Sequence, residues 1–311
     1  MSNPIVDVIM VTYNQEEYVS QAIESVLSQE VSFTYKLIIH DDCSSDKTAE
    51  ICREYSSNYP DKILFIKNNI NVGLVLNYKR AFALCSGKYI AILEGDDYWT
   101  DQCKLQKQIE ILESDDKLGL VHSNYNILKE NKSEQFKPPI DVKLNGDVYS
   151  SLLKKNFIGP LTVCFRRDLF LKYVDYQYYI DNNYSTIDYS IWLELAVHSH
   201  FYYLNDVTAT YRILNSSVSN IDHFDKRELF FETSFKTVKN ILTKYPTNTI
   251  SLEESYNGLF YKLLSLAIHY NKFEKAKEYS LKVKPKNYKE FIKCMCAKNY
   301  VMFRLLYLVV K

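Results

Sequence analysis

The first hundred residues alternate between strand-like and helix-like patterning, and few folds satisfy that rhythm. Val6 to Val11 is an apolar run with one break, the pattern of a buried strand. Glu16 to Ser28 then carries Val19, Ala22, Ile23, Val26 and Leu27 at helical spacing. Tyr35 to Ile39 predicts a second strand, ending at His40-Asp41-Asp42. Asp46 to Tyr55 predicts a second helix, for which Ser44, Ser45 and Asp46 are all competent N-caps. Ile63 to Lys67 reads as a third strand. Leu74 to Cys85 reads as a third helix, stopped at Ser86-Gly87. Tyr89 to Leu93 is a fourth strand. Repeated strand–helix units imply right-handed βαβ crossovers and a mostly parallel, Rossmann-like α/β sheet with helices on both faces.

The pattern continues less regularly. Leu105 to Leu112 predicts a helix and Gly119 to His122 a short strand. Lys129 to Asp147, polar and rich in Pro, Asn and Lys, reads as a loop over the sheet edge. Phe157 to Arg167 resumes an apolar pattern, and Asp188 to Val197 predicts a helix. Phe201 to Leu204 and Val207 to Ile213 look like two paired strands. Beyond residue 223 the pattern is helical, with Ile268 to Leu281 as one half of a helical hairpin. The expected organisation is an α/β domain over 1–222 and a C-terminal helical extension over 223–311. A chain of 311 residues, 47% hydrophobic, suits that arrangement.

In open α/β sheets, ligands sit beyond the carboxyl ends of the strands. Three such ends are polar here: Thr12-Tyr13-Asn14, Asp41-Asp42, and Glu94-Gly95-Asp96-Asp97-Tyr98-Trp99. The last crowds three carboxylates at one strand end. Like charges that close repel, and a divalent cation with hard oxygen ligands neutralises them; Mg²⁺ is typically held by one or two carboxylates plus substrate phosphates. A solvated acidic turn is the competing reading. The 38 basic and 38 acidic side chains cancel, so bulk electrostatic binding of nucleic acid is not indicated. Seven cysteines, an odd number without zinc-site spacing, read as reduced thiols in a cytoplasmic protein. Met1-Ser2-Asn3-Pro4 carries no signal-peptide pattern, and no apolar stretch is long enough to span a bilayer. His122, after a strand, reads as a core histidine.

Taken in order, several short motifs resemble glycosyltransferase family 2 with its GT-A fold. They are Val11-Thr12-Tyr13-Asn14, Asp41-Asp42-Cys43-Ser44-Ser45-Asp46-Lys47-Thr48, Asn71-Val72-Gly73, Gly87-Lys88-Tyr89-Ile90-Ala91, the acidic turn, Asp188-Tyr189-Ser190-Ile191-Trp192-Leu193 and Tyr211-Arg212. The match runs from Val6 to about Ser219, and the Glu-Gly-Asp-Asp-Tyr-Trp form is similar to enzymes of bacterial surface polysaccharide assembly, such as capsule or lipopolysaccharide.

The resemblance implies an inverting transfer from a nucleotide-diphosphate sugar, with Mn²⁺ or Mg²⁺ as cofactor. UDP is the expected nucleotide, with dTDP and GDP as competitors. By position, Thr12, Tyr13 and Asn14 would line the nucleotide, and Asp41 or Asp42, preferably Asp42, would bond the base or ribose. Lys79 and Arg80 would face the diphosphate. Asp96 would be the main metal ligand, with Glu94 in the first position of the family's Asp-x-Asp motif and Asp97 supporting the site. Asp188 would be the catalytic base. Trp99 would stack on an acceptor sugar or pack under the turn, and Arg212 would reach the diphosphate from a loop. The family often carries a His soon after that Arg; this chain has Ile213-Leu214-Asn215 instead.

Each role has a plain structural competitor. Asp188 is an ordinary N-cap, Asp41, Asp42, Thr12 and Asn14 are helix-capping types, and Lys79 and Arg80 suit a solvated helix face. Two other functions compete as well. One is a catalytically inactive sugar-nucleotide or glycan binder on the same scaffold. The other is a nucleotidyltransferase, against which the stretch Val8 to Gln15 offers neither Gly nor Lys for a phosphate loop. The expected acceptor is a glycan or lipid-linked hydroxyl. The C-terminal tail sets eight basic residues from Lys282 to Lys311 against Glu290 and is apolar over Tyr300 to Val310, apart from Arg304. That composition suits peripheral contact with the inner face of the cytoplasmic membrane, a terminal helix packed on the domain, or a homodimer contact.

Overall fold

The computed structural model describes residues 5–129, 132–214 and 223–310. The N-terminal tetrapeptide, Asn215, the end of the motif match at Ser219, the 222/223 boundary and Lys311 lie outside the described residues. The chain divides into two compact units, Met1–Ile213 and Leu214–Lys311.

The first unit begins with the expected alternation: β1 (Val6–Thr12), α1 (Val19–Leu27), β2 (Tyr35–Asp41), α2 (Thr48–Asn58), β3 (Ile63–Lys67), α3 (Leu74–Phe82) and β4 (Tyr89–Ile92). These strands are parallel and lie in the order β3-β2-β1-β4. The chain builds outward from β1 to β3, then α3 carries it back to place β4 on the other side of β1. The order therefore reverses between β1 and β4, and such a switch point opens a crevice at the strands' carboxyl ends.

Burial on both faces explains the apolar runs. Val8 and Met10 of β1, Leu37 and Ile39 of β2 and Ala91 of β4 join one core cluster with Ala22, Ile23 and Val26 of α1. The alternate residues Ile9, Ile38, Ile90 and Ile92 point the other way and are buried too, on the sheet that α3 packs against. Asp7 is the one acid inside β1. Its Oδ2 accepts the N–H groups of Ser86 (2.6 Å) and Gly87 (2.7 Å), tying the entry of β4 to β1, while burial raises its pKa.

After β4 the sheet is mixed. Its further elements are β5 (Tyr98–Trp99), α4 (Lys104–Ser114), β6 (Leu118–Lys129), β7 (Lys132–Gln135), α5 (Tyr149–Lys154), β8 (Cys164–Arg166), α6 (Arg167–Tyr173), α7 (Tyr176–Asp181), α8 (Asp188–His198) and β9 (His200–Arg212). β8 joins β4 antiparallel, β6 joins β8 antiparallel, β9 joins β6 parallel and β5 ends the path antiparallel to β9. The parallel expectation thus holds for the first four strands and for β6–β9, and fails where the strand–helix rhythm ends.

Two local expectations are corrected. Phe201 to Leu204 and Val207 to Ile213 do not pair with each other. They are parts of the single strand β9, whose register against β6 slips between Ser123 and Asn124. Asn205-Asp206 is bulged out there, and a polar bulge mimics a turn in sequence. The loop expected over Lys129 to Asp147 contains β7, fully exposed and paired with β6. An edge strand reads as polar because one row of its backbone groups and its side chains face water.

The second unit is helical among the described residues: α9 (Phe224–Lys244), α10 (Leu252–His269), α11 (Phe273–Lys282), α12 (Tyr288–Lys298) and α13 (Tyr300–Val310). Leu263, Leu264, Ala267, Ala276, Tyr279, Ala297 and Phe303 form its core. Ser251 and Glu254 make a reciprocal capping box at the start of α10. Ile268 to Leu281 is not one continuous element, since Asn271 takes a left-handed φ of 56° and turns the chain from α10 into α11. No helix of the described residues is long and apolar enough to cross a membrane.

Candidate active site

The carboxyl ends of β1, β2 and β4 meet at the switch point. Thr12 Oγ1 donates to Asp41 Oδ1 (3.1 Å) across β1 and β2, and Asp41 also accepts the Ser44 N–H (2.9 Å) and the Ser44 hydroxyl. Asn14, at φ 52°, accepts the Ser45 N–H through Oδ1 (2.9 Å), and its own N–H donates to Ser44 Oγ (2.9 Å). Thr12, Asn14 and Asp41 therefore brace the loops after β1 and β2 against each other. Tyr13 stands apart from this bracing, 48% exposed at the lip of the crevice.

Asp42 is buried as well, but in a separate set of hydrogen bonds. Its Oδ1 accepts Asn68 Nδ2 and the Val72 N–H (both 2.9 Å), and Oδ2 accepts the Gly73 N–H (2.8 Å). Gly73 sits at φ 84°, a conformation costly for any side-chain-bearing residue, and it leads directly into α3. One lone pair on Asp42 Oδ2 remains for a ligand. Asn77 of α3 bonds both His40 and Asn68, extending the network under the β2 end.

Lys79 and Arg80 do not project together toward the acidic turn. Lys79 Nζ bonds Gln177 Oε1 (2.5 Å) and Arg80 Nη1 bonds Asn68 Oδ1 (2.5 Å). Adjacent residues on a helix point about 100° apart, so the expected basic pair is split between α7 and the segment that follows β3.

The acidic turn follows β4. Oxygens of Glu94, Asp96 and Asp97 all lie within 4.8 Å of one another. Glycine at position 95 is demanded by the packing. A Cβ there would stand 2.5 Å from Gln15 Oε1 and 2.7 Å from Thr12 Cγ2, so only a bare backbone can lie this close to the β1 end. Tyr78 of α3 donates its hydroxyl to Glu94 Oε1 (2.8 Å). Asp97 is fully buried; its Oδ1 accepts the Arg212 N–H (2.8 Å) and its Oδ2 has no partner.

Burial pushes all three carboxyls up. Glu94 rises to about 8, through burial and then the charges of Asp96 and Asp188, against the Tyr78 hydroxyl. Asp96 is raised by burial, with Arg212 and Gln15 opposing. Asp97 is raised well above the carboxylate range by burial and by Asp96 and Glu94. Three oxygen ligands that resist ionising together, one with an unpartnered buried oxygen, are the donor set a hard divalent cation fits.

Asp188, the first residue of α8, comes from far along the chain into the electrostatic reach of this turn. Its charge acts on Glu94, on Tyr78 and on the buried Tyr176. Burial raises its own pKa, opposed by the N–H groups of Tyr189 and Asp188 and by Asn156.

Of the two roles open to Trp99 the structure selects one, and the expectation for Arg212 fails. Trp99 is buried and donates Nε1–H to Leu161 O (2.9 Å), so it packs under the turn and has no face free for an acceptor sugar. Arg212 is not on a loop. It ends β9, donates Nη1–H to Asp96 O (2.6 Å) and Nη2–H to Gln21, and lies over the Tyr98 ring at 4.4 Å. It clamps the acidic turn instead of reaching outward. His122 is a core histidine as expected, bonded to Leu144 O, with burial lowering its pKa to about 4. The residues that sequence reasoning missed are Tyr78, Tyr176 and Gln15. Tyr78 lies on the buried face of α3, but in a chain with 27 tyrosines no single one stands out.

The sequence profile of the family described as glycosyl transferase family 2 matches residues 7–170. An uncharacterized protein of Mycobacterium tuberculosis is 32% identical over 228 residues, covering 73% of this chain and 63% of that protein. The match thus spans less than two thirds of the mycobacterial relatives' length. A UDP-Glc:alpha-D-GlcNAc-diphosphoundecaprenol beta-1,3-glucosyltransferase of Escherichia coli is 30% identical over 223 residues, covering 71% of this chain and 81% of that enzyme. Among solved structures, TarS 1–349 of S. aureus in complex with UDP aligns at TM-score 0.57 and 15% identity, covering 98% of this chain and 88% of that one. The mannosyltransferase PcManGT of Pyrobaculum calidifontis, in complex with GDP-Man and Mn²⁺, aligns at 0.58 and 12% identity, covering 99% and 87%. The structural likenesses concern the fold, which is the expected GT-A architecture followed by helices.

Proposed function

Since the chain belongs to glycosyltransferase family 2, we propose that it is an inverting, divalent-metal-dependent glycosyltransferase that moves a sugar from a nucleotide diphosphate to a hydroxyl of a glycan or lipid-linked acceptor. The work is bacterial surface polysaccharide synthesis, carried out in the cytoplasm by the first unit. The carrying observation is the close Glu94–Asp96–Asp97 cluster, half-buried with Asp97 fully so, and Asp188 within its electrostatic reach. A UDP donor draws support from the two relatives that name or hold UDP, and a metal from the Mn²⁺-bound neighbour.

In this reading Glu94, Asp96 and Asp97 hold Mn²⁺ or Mg²⁺. The ion supplies Lewis-acid stabilisation of the leaving diphosphate. Tyr13 covers the nucleobase, and Asp42 accepts one hydrogen bond from base or ribose through its remaining lone pair. Asp188 accepts the acceptor's hydroxyl proton as that oxygen attacks the anomeric carbon and the bond to the diphosphate oxygen breaks. Burial raises its pKa above the ordinary carboxylate value, which strengthens it as a proton acceptor. Tyr78 fixes Glu94, and Arg212 fixes the turn backbone from β9.

The test is thermal-shift binding of UDP, GDP, dTDP and CDP with and without Mn²⁺, together with turnover. Asp96→Ala is expected to abolish the Mn²⁺-dependent shift. Asp188→Asn is expected to keep the shift and lose turnover by about 10²-fold or more, the usual scale of general-base catalysis. Wild-type turnover in Asp188→Asn would remove the base assignment. No shift with any nucleotide would favour the inactive-binder reading.

A further inference from the structure

Helices α12 and α13 are amphipathic in the wrong sense for a solvated surface. Their inward residues Cys294, Ala297 and Phe303 join the second unit's core. Their outward residues are apolar as well. On α12, Tyr288, Phe291, Ile292 and Met295 are exposed, Tyr288 by 76%, and they recur at the i, i+3, i+4, i+7 spacing of one helix face. On α13, Val301, Leu305 and Leu308 repeat the stripe at i, i+4, i+7, with Leu305 61% exposed. A helix apolar on both sides belongs in a buried setting, and contiguous exposed apolar surface marks an interaction site.

Charge selects the occupant. Lys282, Lys284 and Lys286 are drawn to Glu278, Glu253 and Glu254 of the same unit. Lys289 and Lys298 on α12 have no carboxylate partner among the described residues, and Arg304 of α13 lies over the Tyr307 ring. The single acid of the two helices, Glu290, is engaged with Asn287 and the Lys286 N–H. An apolar stripe flanked by unpaired cations and lacking a free acid is complementary to an anionic bilayer, which offers hydrocarbon beneath a negative headgroup layer.

We propose that α12 and α13 dock the second unit onto an anionic lipid surface, with Phe291, Ile292, Leu305 and Leu308 entering the interface and Lys289 and Lys298 meeting the headgroups. The docking goes beyond the transferase reading and does not depend on it, since lipid binding is measured without turnover.

The experiment is flotation of the purified full chain with phosphatidylcholine vesicles and with vesicles that also contain phosphatidylglycerol. The wild type is expected to float with the anionic vesicles alone and to be released by salt. Lys289→Gln with Lys298→Gln should weaken partitioning about fivefold per charge removed. Ile292→Ser with Leu305→Ser should weaken it about tenfold per side chain. Tyr288→Trp, a substitution at an exposed site, serves as a reporter whose emission shifts to the blue on anionic vesicles, so the outcome does not hang on the double variants folding. Absence of binding to anionic vesicles, equal binding to neutral ones, or folded variants that float like wild type would overturn the proposal. So would light scattering showing a wild-type dimer that Ile292→Ser with Leu305→Ser splits, because the stripe would then be covered by a second copy of the chain.

Discussion

Lys104 offers the sharpest quantitative test of the structure. Its side chain is fully buried beneath the acidic turn, with Nζ donating to Gln108 Oε1 (2.7 Å) and lying 4.2 Å from the centre of the Trp99 ring. One neutral hydrogen bond and one ring do not replace the hydration of an ammonium, and burial lowers its pKa from 10.5 to about 7. Lysine in the unfolded chain stays protonated up to about pH 10.4, so between these limits the unfolded state binds more protons and stability rises with pH. The destabilisation is full below about pH 7. From about pH 6.5 to about pH 8.5 it is relieved by about 2 kcal/mol, using about 1.4 kcal/mol per pH unit of linkage. Lys104→Met keeps most of the volume and removes the charge. It leaves Gln108 Oε1 unpartnered, a cost of about 1–3 kcal/mol that offsets part of the gain. The variant should therefore be level with or more stable than wild type at pH 6.5, and its advantage should shrink by about 2 kcal/mol at pH 8.5. In a unit of this size that change is a shift of about 4–8 °C in the melting-temperature difference. Melting both proteins at both pH values isolates Lys104, since every other titrating group is common to the pair. A difference that stays constant across the interval would refute the buried-ammonium argument.

The acidic turn carries three further expectations. Asp97→Asn removes a carboxylate whose pKa is raised by burial and by two neighbouring acids. Metal-free protein should melt higher than wild type, by a margin that grows as pH rises, while the Mn²⁺-dependent shift disappears in the same titration. Tyr78→Phe removes the hydroxyl that favours ionised Glu94, a bond worth about 1.5–3 kcal/mol. The pH midpoint of Mn²⁺ affinity, followed by calorimetry, should rise by about one to two units. An unchanged midpoint would show that Glu94 is not a ligand. Gly95→Ala drives a Cβ into Thr12 and Gln15. It should cost about 1–3 kcal/mol in denaturant melts and reduce Mn²⁺-dependent nucleotide binding, whereas wild-type binding would mean the turn need not lie against β1.

Four parallel strands and their helices were legible because each signal is local. A strand buried on both faces must be apolar throughout, and an interior helix must show its period. The failures came where tertiary pairing overrides local pattern. Asn205-Asp206 reads as a turn on its own, and only continued pairing with β6 on both sides of it makes it a bulge within one strand. β7 reads as loop because an edge strand has little to bury. The mixed half of the sheet carries no sequence mark of its direction, since β8 is only three residues long and nothing local to it states that it will run antiparallel to β4.

The candidate site divides along the same line, which says something about how it is built. Glu94, Asp96 and Asp97 were readable as a group because three acids after an apolar run violate the expectation for a buried strand end. Trp99 stayed between two roles and Arg212 was misjudged because large polar-tipped side chains look equally suited to ligand contact and to bracing, and only their hydrogen bonds to Leu161 O and Asp96 O decide. Those bonds also explain how the turn survives its own repulsion. Arg212 reaches from β9, the neighbour of β5 in the sheet, to hold the Asp96 carbonyl and, through its backbone N–H, Asp97. Gly95 lets the turn rest on β1, and Tyr78 holds Glu94 from α3. The strain of three crowded carboxyls is thus shared among a strand before the turn, a helix and a strand from the far half of the sheet. A cation binding there would relieve a repulsion that the rest of the first unit is already arranged to contain.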